Sequence, residues 1–208
     1  SDLEPVIVVI GDRIRLDTIP GSANIISGEV LIASRVLTVN EALRKVPGIF
    51  ARDEEGLGLR PNLGVRGLNP TRSSKVLLLE DGIPLTYAPY GDNATYYHPP
   101  VERFERIEVL KGSGQIAYGP HTVGAVINYI TPTVPAELDG RLIGSVGNRD
   151  FRELHGQVGD TFGDTGFIAH GMYKSTDGAR DNMNFDVVDL NLKVVQRISE
   201  RQALTLRT

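Results

Sequence analysis

The chain has 208 residues, of which 40% are hydrophobic and 23% are charged, and its formal net charge at pH 7 is −4. This length and composition allow a sizeable core, while the negative charge and the lack of a basic stripe argue against nucleic acid as a partner. The chain contains no cysteine, which excludes disulfides, thiolate nucleophiles and cysteine-ligated metal sites within it. No apolar run is long enough for a membrane-spanning helix, so a membrane protein with this sequence would have to be a β-barrel.

The first predicted element is an apolar, β-branched run at residues 4–10, which Gly11 and Asp12 follow. Such a run predicts a β-strand, and on the residues alone it suits an ordinary strand at the edge of a sheet. We expect an extended segment that lacks a fixed partner.

A short helix is predicted to begin after Thr38. Glu41 lies three residues further on, and this spacing allows a capping box in which each side chain accepts a hydrogen bond from a free amide. Three apolar residues then share one face of the helix: Val39, Leu43 and Val46. Pro47-Gly48 ends the helix, because proline lacks an amide proton and glycine can adopt a positive φ.

A β-hairpin is predicted next, with strands at residues 76–79 and 83–85 on either side of Asp81-Gly82. This dipeptide favours a type I′ turn, which needs a positive φ at both central residues. Two more strands are predicted: Glu105 to Leu110 and Val126 to Ile130. Together these elements indicate a small mixed α/β domain that ends near the proline-rich linker at residues 132–135.

After Gly140 the sequence alternates between apolar and polar residues, as β-strands do. The clearest case sets four apolar residues against three polar ones: Val188, Leu190, Leu192 and Val194 against Asp189, Asn191 and Lys193. Similar alternations occur at residues 153–158 and, less regularly, at residues 167–174. The predicted connections are two short turns and a longer polar loop: 163–166, 199–201 and 177–184. The pattern alone suits a soluble antiparallel sheet and the wall of an outer-membrane barrel equally well.

The most specific stretch runs from Phe104 to Pro132 and reads F-E-R-I-E-V-L-K-G-S-G-Q-I-A-Y-G-P-H-T-V-G-A-V-I-N-Y-I-T-P. It resembles the end of the plug domain of the TonB-dependent outer-membrane receptors, with Ala125 in place of one glycine of the family pattern. The resemblance covers roughly residues 1–135 and includes three further segments in the family's order: Thr38 to Gly48, Gly64 to Gly67 and Val76 to Pro84. Residues 59–72 and 86–93 are most similar to the ferric dicitrate receptor branch of that family.

The resemblance implies the architecture of the chain. It predicts an α/β plug domain, with a small mixed sheet and short helices, inside a transmembrane antiparallel β-barrel. The expected boundaries are an N-terminal segment and linker at residues 1–20, the plug at 21–135 and the first barrel strands at 136–208. About five strands fit into the last part, whereas the family's barrel has about 22, and strands in a bilayer must close on themselves.

The resemblance also implies partners and a location. The acidic-then-apolar run near the N-terminus corresponds to the family's TonB box: Leu3, Glu4, Pro5, Val6, Ile7, Val8 and Val9. An exposed extended segment of this kind can be captured as an added strand at the sheet edge of another protein. The expected partner is the periplasmic domain of TonB, together with its inner-membrane energising complex. The protein is expected in the bacterial outer membrane, in contact with its lipid.

No catalytic constellation is evident, so we do not expect an enzyme. The four histidines lack H-E-x-x-H spacing, so neither a metal site nor a cofactor is expected, and His98 is predicted to pack within a loop. Gly112-Ser-Gly114 lacks the G-K-[ST] ending of a phosphate-binding loop, and the chain has no G-x-S-x-G nucleophile elbow.

Two polar segments between predicted strands are candidates for ligand recognition: residues 60–75, which contain three arginines, and residues 87–98, which are rich in tyrosine. Arginine forks bind carboxylates in a bidentate manner, and tyrosines offer rigid contact area with a polar tip. By resemblance, the family's outward-facing plug loops fall near residues 52–60, 69–73 and 87–97, where ligand arrives from outside. The candidate ligand-binding residues are Arg60, Asn69, Thr71, Arg72, Tyr87, Tyr90, Asp92 and Asn93.

Two further basic residues have a different expected role. The family uses the positions of Arg66 and Lys111 to pair with glutamates of the barrel wall, so we interpret them as latches between plug and barrel. A single exposed ion pair contributes only about 0–1 kcal/mol, so several latches would have to act together.

The resemblance implies an active transporter that takes up a ferric chelate, such as ferric citrate or another siderophore, by TonB-dependent gating. Alternatives are a receptor for another scarce nutrient (cobalamin, another metal chelate or a sugar) and a permanently plugged barrel that only binds partners at the surface. A soluble periplasmic enzyme or binding domain is disfavoured by the barrel pattern.

Overall fold

The computed structural model describes residues 21–54, 58–85, 95, 97–112, 118, 123–200 and 202–208. The described residues belong to two compact units that divide between Thr131 and Pro132, and each unit is described by itself below. The predicted strand at residues 4–10 lies outside the described part of the chain.

The N-terminal unit is built on a mixed sheet. Its elements are β1 (Ser22–Ser27), α1 (Gly28–Ser34), α2 (Val39–Leu43), β2 (Ile49–Ala51), β3 (Leu63–Val65), β4 (Val76–Glu80), β5 (Ile83–Pro84), β6 (Arg106–Lys111) and β7 (Ala125–Ile130). The main sheet has the strand order β1-β6-β7-β4-β5, and β2 pairs with β3 in a separate two-stranded sheet. β4 and β7 run parallel, and the other pairs are antiparallel.

The core of this unit lies mainly on one face of the sheet. Alternate residues of β6, β7 and β4 point to that face and pack with the two helices, and the cluster includes Leu31, Leu43, Leu78, Ile107, Ile127 and Tyr129. A smaller apolar cluster occupies the opposite face: Leu77, Leu79, Leu110 and Val126. Because successive side chains of a strand point to opposite faces, strands covered on both faces read as continuous apolar runs.

Helix α2 begins as the sequence predicts. The Thr38 hydroxyl accepts a hydrogen bond from the Glu41 amide at 3.1 Å, which satisfies a free amide of the first turn. The Glu41 carboxylate reaches back to the Leu37 amide at 2.7 Å, one residue before the position that a standard capping box uses. Val39, Leu43 and Val46 are buried as predicted, but the helix ends at Leu43, before the predicted stop at Pro47-Gly48, so Val46 lies in the turn that follows it. No helix in the described part of the chain is long and apolar enough to cross a membrane.

The predicted hairpin is also present. β4 and β5 pair antiparallel on either side of Asp81 and Gly82, whose φ values are 48° and 81°. Positive φ at both residues is the requirement of a type I′ turn, so this prediction is confirmed. The Gly82 amide donates to the side-chain oxygen of Asn128 at 2.9 Å, which ties the turn to β7.

The C-terminal unit is an antiparallel meander of five strands: β8 (Asp139–Val146), β9 (Arg152–Phe162), β10 (Thr165–Thr176), β11 (Phe185–Ser199) and β12 (Gln202–Arg207). The number of strands agrees with the prediction. The tight turn at Gly163-Asp164 and the loop at residues 177–184 lie where the sequence placed them.

The two faces of this meander differ in the way that the alternation predicts. Polar side chains are buried on one face: Glu153, His170, Lys174, Asp189, Asn191 and Lys193. Large apolar side chains are exposed on the other: Leu142, Leu154, Val158, Tyr173, Val188, Leu190 and Leu206. This arrangement reverses that of a soluble sheet, and it is typical of strands whose apolar side chains face lipid.

Candidate functional site

Arg60 and Arg72 lie on two loops of the N-terminal unit, and both side chains are exposed. Arg72 is part of the short 3₁₀ turn Thr71–Ser73 and has φ 53° and ψ 24°. This left-handed conformation is uncommon for residues other than glycine, so neighbouring contacts must maintain it. Strained backbone of this kind is often found at binding sites.

Asn69 and Thr71 support the Arg72 turn. The Asn69 side-chain oxygen accepts hydrogen bonds from the Thr71 amide at 3.0 Å and from the Thr71 hydroxyl at 2.8 Å. These contacts form an Asx turn, so both predicted ligand residues also shape the loop. The Arg52 guanidinium lies 3.5 Å from the Thr71 hydroxyl and brings a further exposed cation to this loop. The sequence signal for Arg52 was its place at the start of an expected outer loop.

Asn62 connects three parts of the site, and sequence reasoning missed it. Its side-chain oxygen accepts from the Arg72 amide at 2.9 Å, and its amide nitrogen donates to the Glu54 carboxylate at 2.8 Å. The Ser73 hydroxyl accepts from the Leu63 amide at 3.1 Å. Because Asn62 is almost fully buried, these bonds satisfy polar groups that would otherwise be costly.

The end of the second predicted loop contacts both arginine-bearing loops. The Thr95 amide donates to the Arg72 carbonyl at 3.0 Å, and the His98 amide donates to the Leu59 carbonyl at 2.6 Å. The His98 ring is fully buried, as the sequence predicted for a packing residue, and its Nε2 lies 2.9 Å from the Tyr129 hydroxyl of β7.

The protonation states of this buried pair follow from their surroundings. Burial lowers the pKa of His98 to about 3, and the Gly58 backbone opposes this shift only in part. Burial also raises the pKa of Tyr129 well above its usual value. The imidazole is therefore neutral and the phenol keeps its proton, and one hydrogen bond joins Nε2 to the Tyr129 hydroxyl, with the tautomer of the ring deciding which of the two groups donates.

The remaining predicted ligand residues, Tyr87, Tyr90, Asp92 and Asn93, lie outside the described residues. The predicted TonB box, residues 3–9, lies outside them as well. Within the described part of the chain, no group of three or more His, Asp or Glu residues is placed to hold a metal ion.

Arg66 and Lys111, the two predicted latch residues, converge on the turn at Pro47-Gly48. The Lys111 ammonium donates to the Pro47 carbonyl at 2.6 Å, and the Arg66 amide donates to the Gly48 carbonyl at 2.9 Å. Burial lowers the pKa of Lys111, and the charge of Arg66 acts in the same direction. Arg66 is exposed with a φ of 51°, whereas Lys111 is 3% exposed. Their pairing with a barrel wall stays a prediction.

Comparison with known proteins identifies the family. The model of the TonB-dependent receptor plug domain matches residues 15–126, which is more than half of the chain. The chain therefore belongs to the TonB-dependent receptors, which are β-barrel proteins of the bacterial outer membrane and not enzymes. The predicted fold, a mixed α/β plug followed by the first strands of a barrel, is confirmed.

The individual relatives are named for different substrates. The vitamin B12 transporter BtuB of Vibrio vulnificus (strain CMCP6) is 30% identical over 185 residues, which are 88% of this chain and 29% of that protein. The crystal structure of the unliganded ferric citrate transporter FecA is 27% identical with a TM-score of 0.77, and the match covers 96% of this chain and 32% of FecA. The siderophore receptor PirA from Acinetobacter baumannii, at 20% identity and a TM-score of 0.71 over 89% of this chain and 30% of PirA, shows the fold alone. The chain thus spans less than a third of the length of these relatives.

Proposed function

We propose that the protein is a TonB-dependent transporter that carries an anionic ferric chelate, ferric citrate or another siderophore, across the bacterial outer membrane. The observation that carries this proposal is the pair of exposed arginines, Arg60 and Arg72, on loops that hydrogen bonds hold together. Guanidinium groups bind carboxylates through two parallel hydrogen bonds, so two of them suit a ligand with several carboxylates. The likeness to the ferric citrate transporter over 96% of this chain supports the same substrate class.

The other predicted loop residues would complete the ligand site. Tyr87 and Tyr90 would supply rigid contact area. Asp92 would accept hydrogen bonds from polar groups of the chelate, and Asn93 would accept or donate them. The iron arrives inside the chelate as cargo, so the plug needs to recognise the chelate's surface only.

Transport requires a coupling step. We propose that residues 3–9 are the TonB box, which the periplasmic domain of TonB captures as an added strand and then pulls with energy from its inner-membrane complex. Arg66 and Lys111 would act as latches that hold the plug until it is pulled. This mechanism is gating and forms no covalent intermediate.

A cobalamin receptor is the second candidate, because the vitamin B12 transporter of Vibrio vulnificus is 30% identical to this chain. Cobalamin carries mainly neutral amides at its periphery, so it offers fewer partners than a polycarboxylate for two arginines. A plugged barrel that binds partners without transport is a third possibility.

Uptake assays in a receptor-deleted strain that expresses the full-length protein distinguish these candidates. The strain is supplied in turn with labelled ferric citrate, other ferric siderophores, cobalamin and sugars, with and without an uncoupler of the proton-motive force. We expect energy-dependent uptake of a carboxylate-bearing ferric chelate. Uptake of cobalamin alone would establish the second candidate, and surface binding without uptake of any compound would establish the third.

A further inference from the structure

The arginine-bearing loops are both joined to the short stretch that holds Thr95 and His98. The Thr95 amide donates to the carbonyl of Arg72 itself, at 3.0 Å. The His98 amide donates at 2.6 Å to the carbonyl of Leu59, the residue before Arg60. The same stretch of chain therefore sets the backbone position beside each of the two candidate ligand residues.

His98 also connects this stretch to the sheet. Its ring meets the Tyr129 ring edge-on, with 5.4 Å between centroids, and the Tyr129 hydroxyl lies 2.9 Å from Nε2. Tyr129 belongs to β7 and stacks on Phe104, with 4.7 Å between ring centroids and 12° between the ring planes. Both His98 and Tyr129 are fully buried. A loop residue is thus bound to one of the most buried positions of the core.

We propose that His98 is a positioning residue, which holds Arg60 and Arg72 at the separation that a polycarboxylate ferric chelate needs in order to contact both at once. This inference rests on the proposed function, because it assumes that both arginines bind the chelate. His98 touches no ligand in this role and acts through the Leu59 carbonyl and the Tyr129 hydroxyl.

The physical reason lies in the cost of ordering a binding site. When two groups are held in place before the ligand arrives, the ligand gains both contacts and little conformational entropy is lost. If the loops move independently, one contact does not favour the other. Because the ring remains neutral down to a pH of about 3, its connection to Tyr129 persists throughout the physiological range.

A first experiment measures the loop separation without any ligand, in the full-length protein. Spin labels are attached to cysteines that replace Arg60 and Arg72; the 208 residues contain no other cysteine, and any cysteine elsewhere in the full-length protein is first replaced by serine. We expect a narrow distance distribution by pulsed electron resonance, which broadens in His98→Phe and stays narrow in His98→Gln, whose side-chain oxygen can accept from Tyr129. Lys75→Ala, which truncates an exposed side chain of the same unit, is the control and should leave the distribution narrow. An unchanged distribution in His98→Phe would overturn the inference.

A second experiment uses ferric citrate as the probe. Affinities are measured for Arg60→Ala, Arg72→Ala and the double variant, first with His98 present and then in the His98→Phe background. With His98, we expect the double variant to lose less affinity than the product of the single losses, because the two contacts cooperate. In the His98→Phe background, we expect ferric citrate to bind about 10-fold more weakly. The affinity losses of the two single arginine variants should then simply multiply in the double variant. His98→Gln should recover both the affinity and the cooperation.

The outcomes separate the two claims. If the arginine variants bind ferric citrate like the unmodified protein while His98→Phe broadens the distances, the proposed site is wrong and the loop connection is right. If the arginine variants lose affinity but the loop distances and the cooperation survive in His98→Phe, the positioning role is wrong. Tyr129→Phe removes only the hydroxyl and is a milder second variant should His98→Phe fail to fold. It should also broaden the distance distribution.

Discussion

The Asp81 carboxylate accepts two hydrogen bonds from Thr131, one from the amide at 2.9 Å and one from the hydroxyl at 2.6 Å. Asp81 opens the turn between β4 and β5, and Thr131 directly follows β7 and is 2% exposed. The Asp81 amide donates in turn to the Tyr129 carbonyl at 2.8 Å. The turn is therefore closed onto the last residue of the N-terminal unit.

We expect Asp81→Ala to destabilise this connection by about 2 kcal/mol, because hydrogen bonds to a charged group contribute about 1.5–3 kcal/mol each. Asp81→Asn should destabilise the connection less than Asp81→Ala does, since asparagine keeps an acceptor and tolerates a positive φ. The measurement is hydrogen exchange of the Thr131 amide, with Thr131→Val as the matched partner in a double-mutant cycle. Equal protection in Asp81→Ala and the unmodified protein would show that the contact contributes nothing.

Arg60→Ala and Arg72→Ala should each weaken binding of an anionic ferric chelate. Charge-assisted bonds contribute about 1.5–3 kcal/mol, which corresponds to a loss of about 10- to 100-fold in affinity if the contact is direct. Titration calorimetry with the purified full-length protein measures this loss. Arg35→Ala is a suitable control, because Arg35 is an exposed arginine at the end of α1. Unchanged affinity in both loop variants would reject the site.

Acid should weaken the N-terminal unit through His98. The unfolded chain protonates this ring near its usual pKa of 6.5, whereas the folded chain does so only near a pKa of about 3. Between these values the unfolded state binds more protons, so the free energy of unfolding falls as the pH decreases through this window. Because glutamine does not titrate, the free energy of unfolding of His98→Gln should fall less than that of the unmodified protein between neutral pH and pH about 4.5. Hydrogen exchange of the β7 amides tests this, with Tyr97→Phe as control; an identical pH dependence in His98→Gln would contradict it.

Deletion of residues 3–9 should stop uptake and leave surface binding of the substrate nearly unchanged, because coupling and recognition use different parts of the chain. A proline at Ile7 or Val8 should act similarly, since it removes an amide from a segment that must pair as a strand. Paired assays of cell-surface binding and uptake measure both effects. Normal energy-dependent uptake by the deletion variant would disprove the assignment of the TonB box.

The two parts of the chain should behave differently when expressed separately. Residues 1–135 should be soluble, because this part has its own apolar core. Residues 140–208 should not form a stable membrane unit, since each unpaired backbone group at an open sheet edge costs several kcal/mol in hydrocarbon. Solubility, circular dichroism and protease resistance in lipid are the measurements. A protease-resistant barrel formed by residues 140–208 alone would disprove the assignment of these strands to a larger barrel.

Prediction from sequence succeeded where the cause of a structure is local. The turn at Asp81-Gly82 and the start of α2 at Thr38 follow from the preferences of adjacent residues, and both were predicted correctly. β1 and α1 were missed. β1 has the sequence S-A-N-I-I-S, which shows little alternation, and its residues become a strand by pairing with β6 from Ser22 opposite Lys111 to Ser27 opposite Arg106.

The residues of the candidate site also divide into those that could be predicted from local sequence and those that could not. Arg60 and Arg72 could be chosen from residue type and loop position, because arginines on loops are common ligands for carboxylates. Asn62 could not be chosen, since its role depends on the amide of Arg72, ten residues away. The same holds for His98, whose partner Tyr129 lies 31 residues further along the chain.

The sequence by itself determined the family, the small mixed domain and the two-faced strands that follow it, because glycine turns, helix caps and side-chain alternation are encoded by neighbouring residues. Only the tertiary structure decided that β4 and β7 run parallel at the centre of the sheet, and that His98 and Asn62 join loops that are distant in sequence. These contacts depend on which strands pair and which polar groups are buried together. Such relationships arise from the packing of the whole unit, and no short stretch of residues specifies them.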